Sequence, residues 1–181
     1  MSRLTKALRQ SARIGFGLMA FLVLLLMVTT IYGAVATANE RARFRPPGRL
    51  VDVGGYRLHL RCEGQGSPTV VLESGGGMTS NEWTLVQPEV AKLTRVCSYD
   101  RTGLGWSETG PPSDPVEVLH TLLRNGGVPG PYAIAGHSYG SGLVLRFAYR
   151  FPNDVKGMVL AAASYPDEEV QRIAARNAYS C

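Results

Sequence analysis

The chain has 181 residues, 45% of them hydrophobic and 18% charged, with 21 Gly and 11 Pro, which excludes a disordered or collagen-like chain and leaves room for one domain. Its formal charge of +5 is unevenly placed: residues 1–45 hold seven Lys/Arg against one Glu, and residues 46–181 hold twelve basic against thirteen acidic residues. The part that folds in water therefore has no basic excess to grip phosphates, and nucleic acid is excluded as a partner.

The first thirteen residues form a basic segment carrying Arg3, Lys6, Arg9 and Arg13 and no acid, and residues 14–38 carry no charge at all. A bilayer core of about 30 Å needs about 20 apolar residues in a helix, so residues 14–38 are predicted as a transmembrane helix or signal anchor. A cleavable signal peptide competes with this, because Ala34-Val35-Ala36 and Ala36-Thr37-Ala38 both fit a small-x-small cleavage site. The core helix of a soluble protein is a third option, opposed by the absence of any polar face over this length. Arg41, Arg43, Arg45 and Arg49 follow the span closely, so positive charge nearly cancels across it. The signal-like layout favours a single-pass membrane protein with its domain outside the cytoplasm, or a secreted one if residues 1–38 are cleaved.

Residues 39–48 are predicted as a linker, since Pro46-Pro47 cannot continue a helix. Residues 49–165 then alternate strands and helices. Leu50–Val53 and Tyr56–Arg61 flank Gly54-Gly55, a hairpin signature. Thr69–Leu72, Arg95–Tyr99, Tyr132–Ala135 and Lys156–Ala161 read as further strands, and Asn81–Leu93, Pro115–Arg124 and Ser141–Arg150 as helices. Strands separated by helices predict an α/β fold with a mainly parallel sheet. Cys62 and Cys97 fall on strands and read as small core residues. No spacing suggests zinc, and no metal or cofactor is expected. Residues 166–181 open with Pro166-Asp167-Glu168-Glu169, acids suited to the amino end of a further helix.

Gly136-His137-Ser138-Tyr139-Gly140 lies directly between a strand and a helix and matches G-x-S-x-G, the nucleophile elbow. The turn is so sharp that side chains two positions either side of the serine would collide, hence Gly136 and Gly140, with Gly142 easing the helix against the strand. The elbow presents Ser138 as a nucleophile at the carboxyl ends of the strands. Attack by a serine creates an oxyanion that needs preorganised donors. One is the backbone N–H of Tyr139, and Gly75-Gly76-Gly77 after the third strand supplies the other, with Gly76 the best placed.

Residues from about 48 to 165 resemble the α/β-hydrolase superfamily, in the branch with a cap inserted after the sixth strand. The resemblance rests on Glu73–Gly77, on Tyr99–Ser107 (Tyr-Asp-Arg-Thr-Gly-Leu-Gly-Trp-Ser) and on Gly136–Gly140. Many relatives carry His-Gly where this chain has Ser74-Gly75, a change that a backbone donor survives. The resemblance implies that Asp100 and Arg101 pin the loop after the fourth strand and that residues 166–181 begin the cap. A serine at the elbow argues against the dehalogenase and epoxide hydrolase relatives, which use an aspartate there; esterases, lipases, thioesterases and aminopeptidases remain open.

The family order along the chain is Ser, then acid, then His, and no histidine follows Ser138. His137 diverges from its neighbour on the elbow, His59 reads as a packed or edge residue on a strand, and His120 lies in a surface helix. The triad acid and histidine are therefore expected beyond residue 181. Two functions follow: a membrane-anchored serine hydrolase acting on a small-molecule ester or amide through an acyl-enzyme, or a catalytically inactive hydrolase-like binding module.

Overall fold

The computed structural model describes residues 2–43, 45–163, 168 and 172. It separates into two compact units, Met1–Arg45 and Pro46–Cys181.

The first unit is one helix, α1 (Ser2–Arg43). It runs past the apolar stretch at both ends and takes in residues that the sequence assigned to the basic segment and the linker. Nothing before Pro46 stops it, since the glycines at 15, 17 and 33 weaken a helix without ending it. Its stretch Arg13–Asn39 is 27 residues long, about 40 Å at 1.5 Å per residue, and is long and apolar enough to cross a bilayer. The hydroxyls of Thr29, Thr30 and Thr37 donate to carbonyls three or four residues earlier at 2.8–2.9 Å. These bonds satisfy the three threonine hydroxyls within the helix itself.

The second unit is built on a six-stranded sheet in the order β1-β2-β4-β3-β5-β6. β1 (Arg49–Asp52) and β2 (Arg57–Glu63) form the hairpin, with Gly54 and Gly55 at φ 116° and 93° in its turn. β2 is also antiparallel to β4 (Val96–Tyr99), whereas β3 (Thr69–Glu73), β4, β5 (Tyr132–His137) and β6 (Val155–Ala161) are mutually parallel. α3 (Pro115–Asn125) starts at Asp114, whose carboxylate caps the Val116 N–H at 3.0 Å. α4 (Tyr139–Arg150) follows β5 directly. Leu119, Leu122 and Leu123 of α3 and Val144 and Phe147 of α4 bury their stripes in one core with Leu58, Val71 and Ile134 of the sheet.

Two expectations change. The helix predicted over Asn81–Leu93 is a 3-10 turn, Ser80–Trp83, followed by the short α2 (Gln87–Ala91). Pro88 has no N–H to bond back to the preceding turn, so it is accommodated in the first turn of a new helix, α2, rather than inside a continuous one. The cysteines are not two separate core residues. Cys62 and Cys97 stand directly opposite each other in the β2–β4 ladder and are joined by a disulfide. Cys97 is buried and Cys62 exposed. The predicted start of the cap, residues 166–181, lies outside the described residues apart from Glu168 and Arg172.

Thiol titration of the denatured, unreduced chain should find one reactive cysteine of the three. Three reactive thiols in protein isolated without reductant would show that β2 and β4 are not cross-linked.

Candidate active site

β5 ends at His137, α4 begins at Tyr139, and Ser138 stands alone between them at φ 50° and ψ −120°. A side chain at positive φ costs on the order of 1–3 kcal/mol and persists only where the surroundings enforce it. Here they do. The Ser138 N–H donates to Ala161 O of β6 at 2.9 Å, and its carbonyl accepts from Ser141 N at 3.0 Å. The Ser141 hydroxyl donates to Gly136 O at 2.8 Å, with Ala161 O at 3.3 Å. The two glycines are sterically required. A Cβ on Gly136 would lie 2.7 Å from Gly140 O, and one on Gly140 would lie 2.6 Å from Ser74 O and 2.7 Å from Glu73 O.

That last contact brings the first turn of α4 against the end of β3, where the glycine-rich loop begins. A Cβ on Gly76 would sit 3.5 Å from the Tyr139 Cβ, so the loop and the helix start face each other. Ser138 is half-buried, and Gly76 and Tyr139 are exposed. The amino end of α4 adds the positive pole of its dipole, roughly half an elementary charge, beside the serine.

The loop itself is held from four directions. Gly75 N–H donates to Glu82 Oε2 at 2.8 Å. The Ser74 hydroxyl donates to Thr79 O and accepts from Trp83 Nε1, both at 3.0 Å. Arg101 donates to Ser74 O at 2.6 Å and also to Gly75 O and the Glu73 carboxylate. Arg101 thus pins the loop after β3 rather than only its own loop. Asp100 does hold the loop after β4, accepting from Trp106 N at 3.0 Å, and it also accepts from Ser80 N at 2.7 Å.

A family model described as the alpha/beta hydrolase fold matches residues 68–178, well over half of the chain. The chain belongs to the α/β-hydrolase family. It is 27% identical to the Bacillus subtilis protein YbdG over 173 residues, covering 91% of this chain and 53% of that one. To the 2-hydroxymuconate semialdehyde hydrolase of Pseudomonas sp. strain CF600 it is 35% identical over 133 residues, covering 67% of this chain and 46% of that one. Among solved structures, Cfl2 of Burkholderia cenocepacia superposes with a TM-score of 0.60 at 28% identity, over 65% of this chain and 42% of that one. The meta-cleavage product hydrolase CumD of Pseudomonas fluorescens gives 0.58 at 26% identity, over 64% and 45%. The chain spans about half the length of these relatives.

Within this α/β-hydrolase frame all three histidines have other partners. His59 is fully buried on β2, with Nδ1 3.0 Å from Asp100 Oδ2 and its ring 5.0 Å from that of Trp106. His120 stacks on Phe151 at 3.9 Å and lies 3.1 Å from Asp154. His137 Nδ1 is 2.5 Å from Glu82 Oε1, so Glu82 bridges the elbow and the Gly75 N–H. Glu82, Trp83 and Ser141 escape a sequence reading because nothing local marks them.

Burial sets the electrostatics. It raises the Glu73 carboxyl above its ordinary range, against the opposing pull of Arg101 and of the Tyr99 hydroxyl. Burial, and then the Glu73 charge, push Tyr99 well above its usual value. For Asp100 burial also pushes upward, but hydrogen bonds from His59, Ser80 and Trp106 outweigh it and hold the carboxyl below its ordinary value. A carboxyl depressed in the folded state contributes stability above its unfolded pKa of about 3.9, lost as pH falls through the lower folded value.

Asp100→Asn should therefore lower the melting temperature at neutral pH and flatten its fall on acidification below about pH 4; an unchanged acid limb would remove Asp100 from the balance. Gly140→Ala should cost about 1–3 kcal/mol, the range typical of overpacking, while Gly76→Ala, with only a 3.5 Å contact to accommodate, should melt close to wild type. Equal melting temperatures for Gly140→Ala and wild type would show that α4 does not press on β3.

Proposed function

We propose that this α/β-hydrolase is a serine hydrolase of small-molecule esters or amides, held at a membrane by α1, with Ser138 as its nucleophile. The observation that carries the reading is Ser138 at φ 50° on the β5–α4 junction, facing a glycine loop pinned by Arg101 and Glu82. Hydrolases among the relatives add support.

In this mechanism Ser138 Oγ loses its proton to a general base and attacks the substrate carbonyl, giving a tetrahedral oxyanion. The N–H groups of Gly76 and Tyr139 stabilise that charge, and removing one such donor typically costs about 10²–10³ in rate. Collapse expels the alcohol or amine, which takes up the proton from the base. Water then repeats the sequence on the acyl-enzyme and restores Ser138. His59, His120 and His137 face Asp100, Asp154 and Glu82 away from Ser138's hydrogen-bond partners, and none of them serves as the base in this proposal.

Two features support a single-pass anchor with the hydrolase unit on the extracytoplasmic side: α1 is long and apolar enough to span a bilayer, and a disulfide within the sheet suits an oxidising compartment. A second reading, a catalytically silent binding module, draws on the same three engaged histidines.

A fluorophosphonate probe applied to the native membrane fraction separates the two. Labelling should occur at Ser138 and vanish in Ser138→Ala. A folded protein that stays unlabelled, or that labels equally after the substitution, would overturn the hydrolase reading and leave the binding module.

A further inference from the structure

Two successive peptide groups of the glycine loop are held in different ways. Between Ser74 and Gly75 both ends are taken: Ser74 O accepts from Arg101 at 2.6 Å, and Gly75 N–H donates to Glu82 Oε2 at 2.8 Å. Between Gly75 and Gly76 only the carbonyl is. Gly75 O accepts from the other terminal nitrogen of Arg101 and from Met78 N at 3.2 Å. The Gly76 N–H has no acceptor among the described residues, and Gly76 is exposed where Gly75 is buried. In a trans peptide the C=O of one residue and the N–H of the next lie antiparallel in one plane. Whatever grips the Gly75 carbonyl therefore also aims the Gly76 N–H.

We infer that Arg101 is a positioning residue for the oxyanion site, acting through the Gly75–Gly76 peptide to aim and polarise the Gly76 N–H. The inference rests on the serine hydrolase reading above for the charge that this N–H would meet, though not for the grip on the peptide.

The loop needs such an anchor. Three successive glycines have the least intrinsic preference for one conformation, yet an oxyanion donor must be in place before charge develops. Arg101 is able to supply the order because it is itself fixed. Its side chain is mostly buried, and the nitrogen that meets Ser74 O also donates to the fully buried Glu73 carboxylate. A guanidinium is a rigid planar fork, so fixing one nitrogen on Glu73 and Ser74 O determines where the other meets Gly75 O. Turning the Gly76 N–H away would break that charge-assisted bond, which is about twice as strong as a neutral one.

Polarisation adds to aim. A cationic donor on the Gly75 oxygen draws electron density through the amide and leaves the Gly76 N–H more positive, and linked hydrogen bonds strengthen one another by about 10–30% each. The same guanidinium lies 5.6 Å from the centre of the Tyr139 ring. One side chain thus meets both residues that carry the proposed donors.

Arg101→Lys keeps the charge but replaces the fork with a point donor that cannot hold Glu73 and two carbonyls together. In the native protein it should lower kcat for p-nitrophenyl acetate about tenfold or more, with KM within about twofold, as part of the roughly 10²–10³ that a lost oxyanion donor costs. The corresponding thionoester presents sulfur, a weak acceptor, to the same donors and should lose less than about threefold. Equal losses on the two esters would mean general distortion and overturn the assignment, as would an unchanged kcat on the oxygen ester. If circular dichroism shows that Arg101→Lys does not fold, Glu73→Gln/Arg101→Gln, which buries no uncompensated charge, carries the same expectation.

The peptide is also read directly, on the full chain in lipid nanodiscs, with glycine labelled at its 13C carbonyl and 15N amide. Carbonyl-to-amide correlation then reports Gly54-Gly55, Gly75-Gly76, Gly76-Gly77 and Gly126-Gly127. In Arg101→Lys the Gly75 carbonyl and Gly76 amide should move upfield while the signals of Gly54-Gly55 and Gly126-Gly127 stay in place. A Gly75-Gly76 signal that does not move overturns the grip. One that moves in a protein that neither cleaves the esters nor labels with a fluorophosphonate upholds the grip and defeats the hydrolase reading instead.

Discussion

The carboxyl end of this sheet depends on how closely the first turn of α4 presses against the end of β3. At Gly140 there is no room for even a methyl group, because the carbonyls of Glu73 and Ser74 occupy that space. The contact forces the chain to leave β5 through a residue at positive φ and sets Tyr139 opposite Gly76. It costs backbone strain at Ser138, offset by the hydrogen bond its carbonyl accepts from Ser141 N and the one its N–H donates to Ala161 O of β6. A helix start, a strained serine and a glycine loop are therefore one construction rather than three motifs that happen to be near each other.

Beneath that contact is a buried polar cluster with little tolerance for loss of a member. Glu73 sits under the loop with Tyr99 and Arg101 as partners, and removing one partner of a buried charged pair costs far more than an exposed pair contributes. The arrangement transmits the position of β4 to the loop after β3, because Arg101 grips two of that loop's carbonyls. Asp100, the residue before it, ties β4 to His59 of β2 and to Ser80. Adjacent residues thus anchor opposite sides of the sheet's carboxyl edge, consistent with the need to hold donors still before charge develops.

Much of the fold was legible because it is written locally. Short apolar runs gave the parallel strands, Gly54-Gly55 gave the hairpin turn, and Gly136-His137-Ser138-Tyr139-Gly140 marked the junction of β5 with α4. The helix expected over Asn81–Leu93 shows where periodicity misleads, since a proline in mid-pattern splits it. What remained hidden depends on strand order. Cys62 and Cys97 meet only because β2 runs beside β4, skipping β3, and no spacing in the sequence announces that exchange. Arg101 and Glu82 reach the glycine loop across 26 and seven positions of chain, and their neighbours carry no signature of the contact.

The disulfide has a topological consequence. Cys62 and Cys97 are 35 positions apart, and the closed ring between them contains β3, the whole glycine loop, Glu82 and α2. Ser138 lies outside it. During synthesis the ring can close before the elbow has been made, so the half of the site that would hold the oxyanion can be covalently bounded while the half that carries the serine is still being added. Once it is closed, a single cut anywhere within the ring leaves both new ends tethered to the sheet.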